Sequence, residues 1–115
     1  MVTRNYTDKE GRSCVEDLTL PFVWEEGRER TPIQSATGIR FNRWPAGRFR
    51  DWHNAPVRQY VIILSGQVDV GLEDGTVHRL GPGDVSLEED LTGQGHTSRV
   101  VGDQPLLFVT VPLGG

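Results

Sequence analysis

The stretch GRFRDWHNAPVRQYVIILSG, Gly47 to Gly66, decides how the fold of this chain is read. Its second half, Val57 to Leu64 (VRQYVIIL), is β-branched and apolar enough for a strand covered on both sides, and Ser65 with Gly66 ends it. Residues two apart in a strand share a face, so His53 and Ala55 point the same way and Gln59 returns to that face after Pro56. Strict alternation then puts Tyr60 opposite Gln59.

Working outward, Thr37 to Trp44 (TGIRFNRW) alternates Ile39, Phe41 and Arg43 against Arg40, Asn42 and Trp44, which is the period of a strand with two unlike faces. Pro45, Ala46 and Gly47 turn the chain into the central stretch. Downstream, Asp74-Gly75 lies between two strand-like runs and reads as a two-residue hairpin turn. That register sets Leu72 against Val77, Gly71 against His78 and Val70 against Arg79, with Val68, Val70, Leu72 and Val77 on one face and His78 on the surface. Gly81 to Asp84 is a tight turn, Val85 to Glu88 a short strand, and Glu89 to Gly95 (EDLTGQG) a polar loop. His96 to Val101 and Leu106 to Val111 are two further strands, separated by a turn at Gly102 to Pro105.

At the other end, Leu18 to Trp24 (LTLPFVW) is apolar, and Pro21 within it points to an edge strand or a break. Met1 to Arg12 is polar and reads as a loose arm or a strand ordered by a partner. Residues 1–36 are thus expected to form an arm and edge strands of the same domain whose barrel spans 37–115. Many short strands without a long helical stripe describe an all-β sandwich or barrel.

The bulk numbers agree. A chain of 115 residues with 14 Gly and 7 Pro has room for one core and many turns. The net charge of −4 argues against a nucleic-acid partner. Eleven of the 12 bases are arginine, five of them clustered at Arg40, Arg43, Arg48, Arg50 and Arg58, and an inward-pointing arginine would hold a carboxylate or phosphate in its planar fork. Cys14 stands alone, so neither an internal disulfide nor a cysteine-rich metal site is available. With no apolar leader and no run of eighteen apolar residues, the expected location is cytoplasmic and no membrane partner is expected.

The central stretch resembles the first motif of the cupin superfamily: a glycine, five residues, His-x-His, three or four residues, Glu, six residues, Gly. Gly47, His53, Ala55, Gln59 and Gly66 fall on the five marked places, with alanine for the second histidine and glutamine for the glutamate. The second cupin motif is matched by Gly75, Gly81-Pro82-Gly83 and His96, with Gly81 in a proline's place and the Glu89 to Gly95 loop as an insertion at the barrel mouth. The resemblance implies a single-domain cupin, a double-stranded β-helix or jelly-roll barrel whose interior receives His53, Gln59 and His96.

Cupins with three histidines and a glutamate hold iron, manganese, nickel, zinc or copper. The resemblance therefore marks His53, Gln59 and His96 as the metal ligands, with Ala55 a vacancy. Two imidazoles and a neutral amide are a weakened set, and open positions on such an ion suit a Lewis-acid or oxygen-activating site. Three readings stand side by side. The first is a metal-dependent dioxygenase, lyase or isomerase acting on a small molecule; the second is a non-catalytic cupin that binds or senses an organic acid. The third is metal-free acid–base catalysis by His53 or His96, for which no acid can be named. Arg43, Trp44, Trp52 and Ala55 are expected to line the ligand pocket, and one of Glu88, Glu89 and Asp90 could orient His96. An exposed sheet edge such as Leu18 to Trp24 makes a homodimer the expected assembly.

Overall fold

The computed structural model describes residues 1–114, which form twelve strands and no helix. The strands are β1 (Val2–Thr7), β2 (Ser13–Asp17), β3 (Val23–Glu25), β4 (Arg28–Arg30), β5 (Arg40–Trp44) and β6 (Phe49–His53). They continue with β7 (Gln59–Ser65), β8 (Gln67–Gly71), β9 (Val77–Leu80), β10 (Val85–Glu89), β11 (His96–Val101) and β12 (Leu106–Pro112). One sheet runs β2-β1-β10-β7-β12-β5, a second runs β6-β11-β8-β9, and β3 with β4 forms a separate hairpin. Both larger sheets contribute to one core, made of Ile63, Val68, Val70, Leu72, Leu80, Val100, Leu106 and Phe108. Trp44 closes it edge-on against Phe108, ring centroids 5.2 Å apart.

The central stretch folds as its pattern implies. On β7, Gln59, Val61 and Ile63 point inward, while Tyr60 points outward and its hydroxyl donates to Gln34 Oε1 at 2.8 Å. Gly66 joins β7 to β8 with φ 79°, and a Cβ there would lie 2.5 Å from the Pro105 carbonyl oxygen, so this motif position requires glycine.

Three expectations are corrected. Met1 to Arg12 is not a loose arm: β1 pairs in parallel with β10 and antiparallel with β2, burying Thr3 and Asn5. Its inward residues are polar, so no apolar period announced it. The outer strand at that end is β2, not Leu18 to Trp24; only Val23 and Trp24 of the latter lie in a strand, β3, whose hairpin turns through Glu26 (φ 54°) and Gly27 (φ 78°). Two consecutive positive φ values fit a tight two-residue turn. The third correction concerns the Asp74-Gly75 hairpin, whose register is one residue away from that expected: Gly71 faces Val77 and Val70 faces His78. The Leu72 N–H bonds the Thr76 carbonyl and Gly75 adopts φ 88°, so Glu73, Asp74 and Gly75 form a three-residue loop. Val77 is consequently 59% exposed, and His78 shares the face of Val70 in a half-buried position.

Candidate functional site

A cavity of about 220 Å³ opens between the two sheets, and strand pairing arranges its lining in rungs. Gln59, Glu88 and Asn5 are neighbours across β7, β10 and β1. The next rung joins Ser86, Val61, Thr110 and Arg40. Below it lie Ile63, Phe108 and Asn42, followed by Leu106 with Trp44. On the facing sheet His96 pairs with His53, and Ser98 pairs with Arg50 and Val70. Polar groups therefore gather at one end of the cavity, while Ile63, Val68, Leu80, Leu106 and Phe108 form an apolar floor at the other.

His53 and His96 meet there with ring centroids 4.5 Å apart. His53 Nδ1 lies 2.7 Å from the Asp51 carbonyl oxygen, which can only accept, so Nδ1 carries the hydrogen and Nε2 is left unprotonated. Burial, followed by the positive charges of His96 and Arg50, holds His53 below the ordinary histidine value despite that hydrogen bond. His96 is almost fully buried, and its Nδ1 donates to Asp90 Oδ2 at 2.6 Å. Burial opposes its positive form, yet the hydrogen bond and charge of Asp90, with Glu88 behind them, prevail and raise it above the ordinary value.

Asp90 itself has no exposed surface. Its Oδ2 also accepts from Ser13 Oγ at 2.8 Å, its backbone carbonyl accepts from the Ala55 N–H at 3.2 Å, and Oδ1 has no partner. The loop carrying it is fastened by Asn54, whose amide donates to the Thr92 and Gly93 carbonyls, and by the Gln94 N–H bonded to the Gly11 carbonyl. Gly95 (φ 78°) then lets the chain pass against the His53 carbonyl, where a Cβ would collide. The insertion at the barrel mouth is therefore the element that delivers a carboxylate to His96.

Alternation on β10 separates two adjacent glutamates. Glu89 faces outward between Arg4 (2.5 Å) and Arg58 (2.6 Å). Glu88 faces the cavity, its Oε1 accepting from Gln59 Nε2 at 2.8 Å and its Oε2 3.7 Å from His96 Nε2. Burial pushes the Glu88 carboxyl above the ordinary range, against the lowering effect of the Gln59 hydrogen bond.

The structure thus brings His53, Ala55, Gln59, His96 and Trp44 to one cavity. Arg43 and Trp52 do not line it. Arg43 lies on the opposite face of β5 from Arg40, Asn42 and Trp44, because neighbours in a strand point to opposite sides. Trp52 alternates with His53 in the same way and is 43% exposed. Sequence reasoning missed Glu88 as a cavity residue, together with Arg40, Asn42, Arg50, Asn5 and Ser86. The alternation of β5 and β10 was the available signal for four of them.

Comparison with solved structures fits this architecture. A cupin domain from Bordetella pertussis Tohama I superposes with a TM-score of 0.53 at 19% identity over 67% of this chain and 80% of that one. The chain has the cupin fold. The DMSP lyase DddQ from Ruegeria pomeroyi DSS-3 gives a TM-score of 0.55 at 22% identity, covering 78% of this chain and 43% of the lyase, so the chain spans under half the lyase's length. A conserved Klebsiella pneumoniae protein with a double-stranded β-helix domain gives 0.51 at 23% identity over 70% and 74% of the two chains. No protein-family model and no curated protein matches the chain.

The donor set differs from the metal centre that many cupins carry. Ala55 offers no donor, the Gln59 amide N–H is directed at Glu88, and among the described residues no three His, Cys, Asp or Glu side chains converge as metal ligands. Two imidazoles and an amide whose N–H is engaged fall short of a centre of three histidines and a glutamate and leave at most a depleted ligand set.

Proposed function

We propose that this cupin moves protons on a small organic molecule held in the barrel, with His96 as general base and Glu88 as general acid, in the manner of an isomerase or lyase. The observation that supports this most directly is the buried chain Asp90–His96–Glu88, at 2.6 Å and 3.7 Å, opening on the cavity. Asp90 fixes the imidazole with hydrogen on Nδ1, so Nε2 faces Glu88 as an acceptor. Burial favours the protonated form of Glu88, whose Oε2 lies 3.7 Å from His96 Nε2. With substrate bound, His96 Nε2 removes a proton from a carbon beside a carbonyl while Glu88 gives its proton to the carbonyl oxygen. The products are an enol, an imidazolium held by Asp90, and a carboxylate. The reverse transfers, to the same or a neighbouring carbon, restore both groups and leave an exchanged or isomerised product. Acid–base transfer of this kind contributes about 10²- to 10⁴-fold to rate.

The test is deuterium incorporation from D₂O into a panel of small 2-oxo acids and neutral ketones, followed by proton NMR. Exchange should survive dialysis against EDTA and vanish in His96→Ala. Absence of exchange across the panel, or its persistence in His96→Ala, would overturn the proposal.

A second reading places a divalent iron, zinc, manganese, nickel or copper ion on His53, Gln59 and His96, and the meeting of the two imidazoles favours it. Elemental analysis separates the two. Stoichiometric metal in the purified protein, lost together with exchange activity on chelation, would establish the metal reading. We also propose a homodimer, because Phe22, Val23, Trp24 and Ile33 are all more than half exposed in and beside the projecting β3–β4 hairpin. A monomeric mass by light scattering would refute it.

A further inference from the structure

We propose that the ligand is a small monocarboxylate with a compact apolar body, its carboxylate on Arg50 and its body on the floor made by Ile63, Val68, Leu106 and Phe108. This rests on the proton-transfer reading of the cavity and names the chemistry of what enters it.

The pairing of the arginines carries the first half. Arg4, Arg12, Arg58 and Arg79 each have a carboxylate partner within the chain. Arg48 and Arg99 lie over the rings of Trp44 and Phe49. Arg40 and Arg50 are the two arginines that line the cavity, and among the described residues neither has a carboxylate within ion-pair distance or an aromatic ring to cover it. Arg50 stands on β6, three residues before His53, and pairs across to Ser98 next to His96 on β11. Its charge is felt by His53, Glu88 and His96 alike. An unpaired guanidinium facing a cavity presents a planar fork of donors that matches a carboxylate.

Shape and charge carry the second half. The cavity of about 220 Å³ has room for a carboxylate with a few carbons. Its floor is apolar, so the end of the ligand away from Arg50 gains by being hydrocarbon. A second carboxylate at the far end would lie against the apolar floor without a partner, which disfavours dicarboxylates. An ammonium group would meet Arg40 and Arg50 instead.

The test is calorimetric titration of the full chain with saturated probes: propionate, pentanoate, hexanoate and decanoate, with pentanamide, glutarate, pentylamine and inorganic phosphate as comparators. The expected result is saturable binding that strengthens at least tenfold from propionate to pentanoate or hexanoate and is lost at decanoate, with each comparator at least tenfold weaker. Arg50→Gln, an exposed position whose change should leave folding intact, should weaken pentanoate binding at least tenfold and leave pentanamide unaffected. Ile63→Phe should shift the optimum to a shorter chain. Failure of every carboxylate to bind, equal binding of pentanamide, or indifference to Arg50→Gln would overturn the assignment. Saturated acids cannot form the enol, so the outcomes separate. Carboxylate binding without deuterium exchange leaves this inference standing and removes the proton-transfer reading. Exchange into neutral ketones without carboxylate binding does the reverse.

Discussion

Replacing Asp90 by asparagine keeps the shape of the side chain and removes its charge, so it isolates what the carboxylate does for His96. Asp90 Oδ2 accepts from His96 Nδ1 at 2.6 Å and from Ser13 Oγ at 2.8 Å in a site with no exposed surface. Hydrogen bonds to a charged group contribute about 1.5 to 3 kcal/mol each and neutral ones about 1, so the two bonds together weaken by about 2 kcal/mol. Asparagine also puts an amide N–H₂ where Oδ1 now has no partner, which costs about another 1 to 3 kcal/mol, while relief from burying a charge offsets part of the sum. The net expectation is a loss of about 2 kcal/mol at mildly acidic pH, or about 8 °C or more in Tm for a domain of this size. The loss should depend on pH in a defined direction. In the wild type His96 is raised above 6.5, so its stabilisation is complete below that value and fades as pH rises through the folded-state pKa. Without Asp90, burial dominates and His96 falls, so the variant gains stability as pH rises toward 6.5. The gap between the two proteins must therefore be wider at pH 5.5 than at pH 9. Urea unfolding at both pH values measures it, and NMR titration of the three histidines follows His96 directly. A gap that is equal at the two pH values, or a His96 titration that stays in place, would refute the reasoning. Exchange activity should fall by about 10²-fold or more.

Glu88→Gln should shift in the same direction for a different reason. Burial raises the Glu88 carboxyl above 4.5, so its contribution is complete below that pH and is lost as the group is forced to ionise at higher pH. The variant should therefore gain on the wild type from pH 5 to pH 9 in the same urea experiment while losing exchange activity, and a relative loss across that range would contradict the burial argument. Gly95→Ala should cost about 3 kcal/mol, since it combines φ 78° with a Cβ driven onto the His53 carbonyl, whereas Gly75→Ala, at φ 88° with open space around it, should cost about 1. Thermal unfolding of the pair would show the difference, and equal costs would mean that the contact between Gly95 and His53 constrains nothing.

The sequence alone determined the barrel. Short runs of period two, turns marked by Gly and Pro, and the spacing from Gly47 through His53 and Gln59 to Gly66 are local signals, and local geometry carries them into the fold. It also named His53, Gln59 and His96 as neighbours, since the motif positions sit at fixed places on β6, β7 and β11. What it could not determine was how those groups are employed. The pairing of β7 with β10 turns Gln59 toward Glu88, which gives the site an acid that the motif spacing does not name. The parallel pairing of β1 with β10 and the folded loop before His96 bring Ser13 and Asp90 together across 77 residues, and contacts at that separation leave no periodic trace in the chain. The one-residue register difference at Asp74-Gly75 belongs to the same class: either loop length fits the turn residues, and burial of Val70 and Leu80 selects one. The fold was local information repeated many times, while the charge states of His96 and Glu88 depend on burial, which exists only once the sheets have closed.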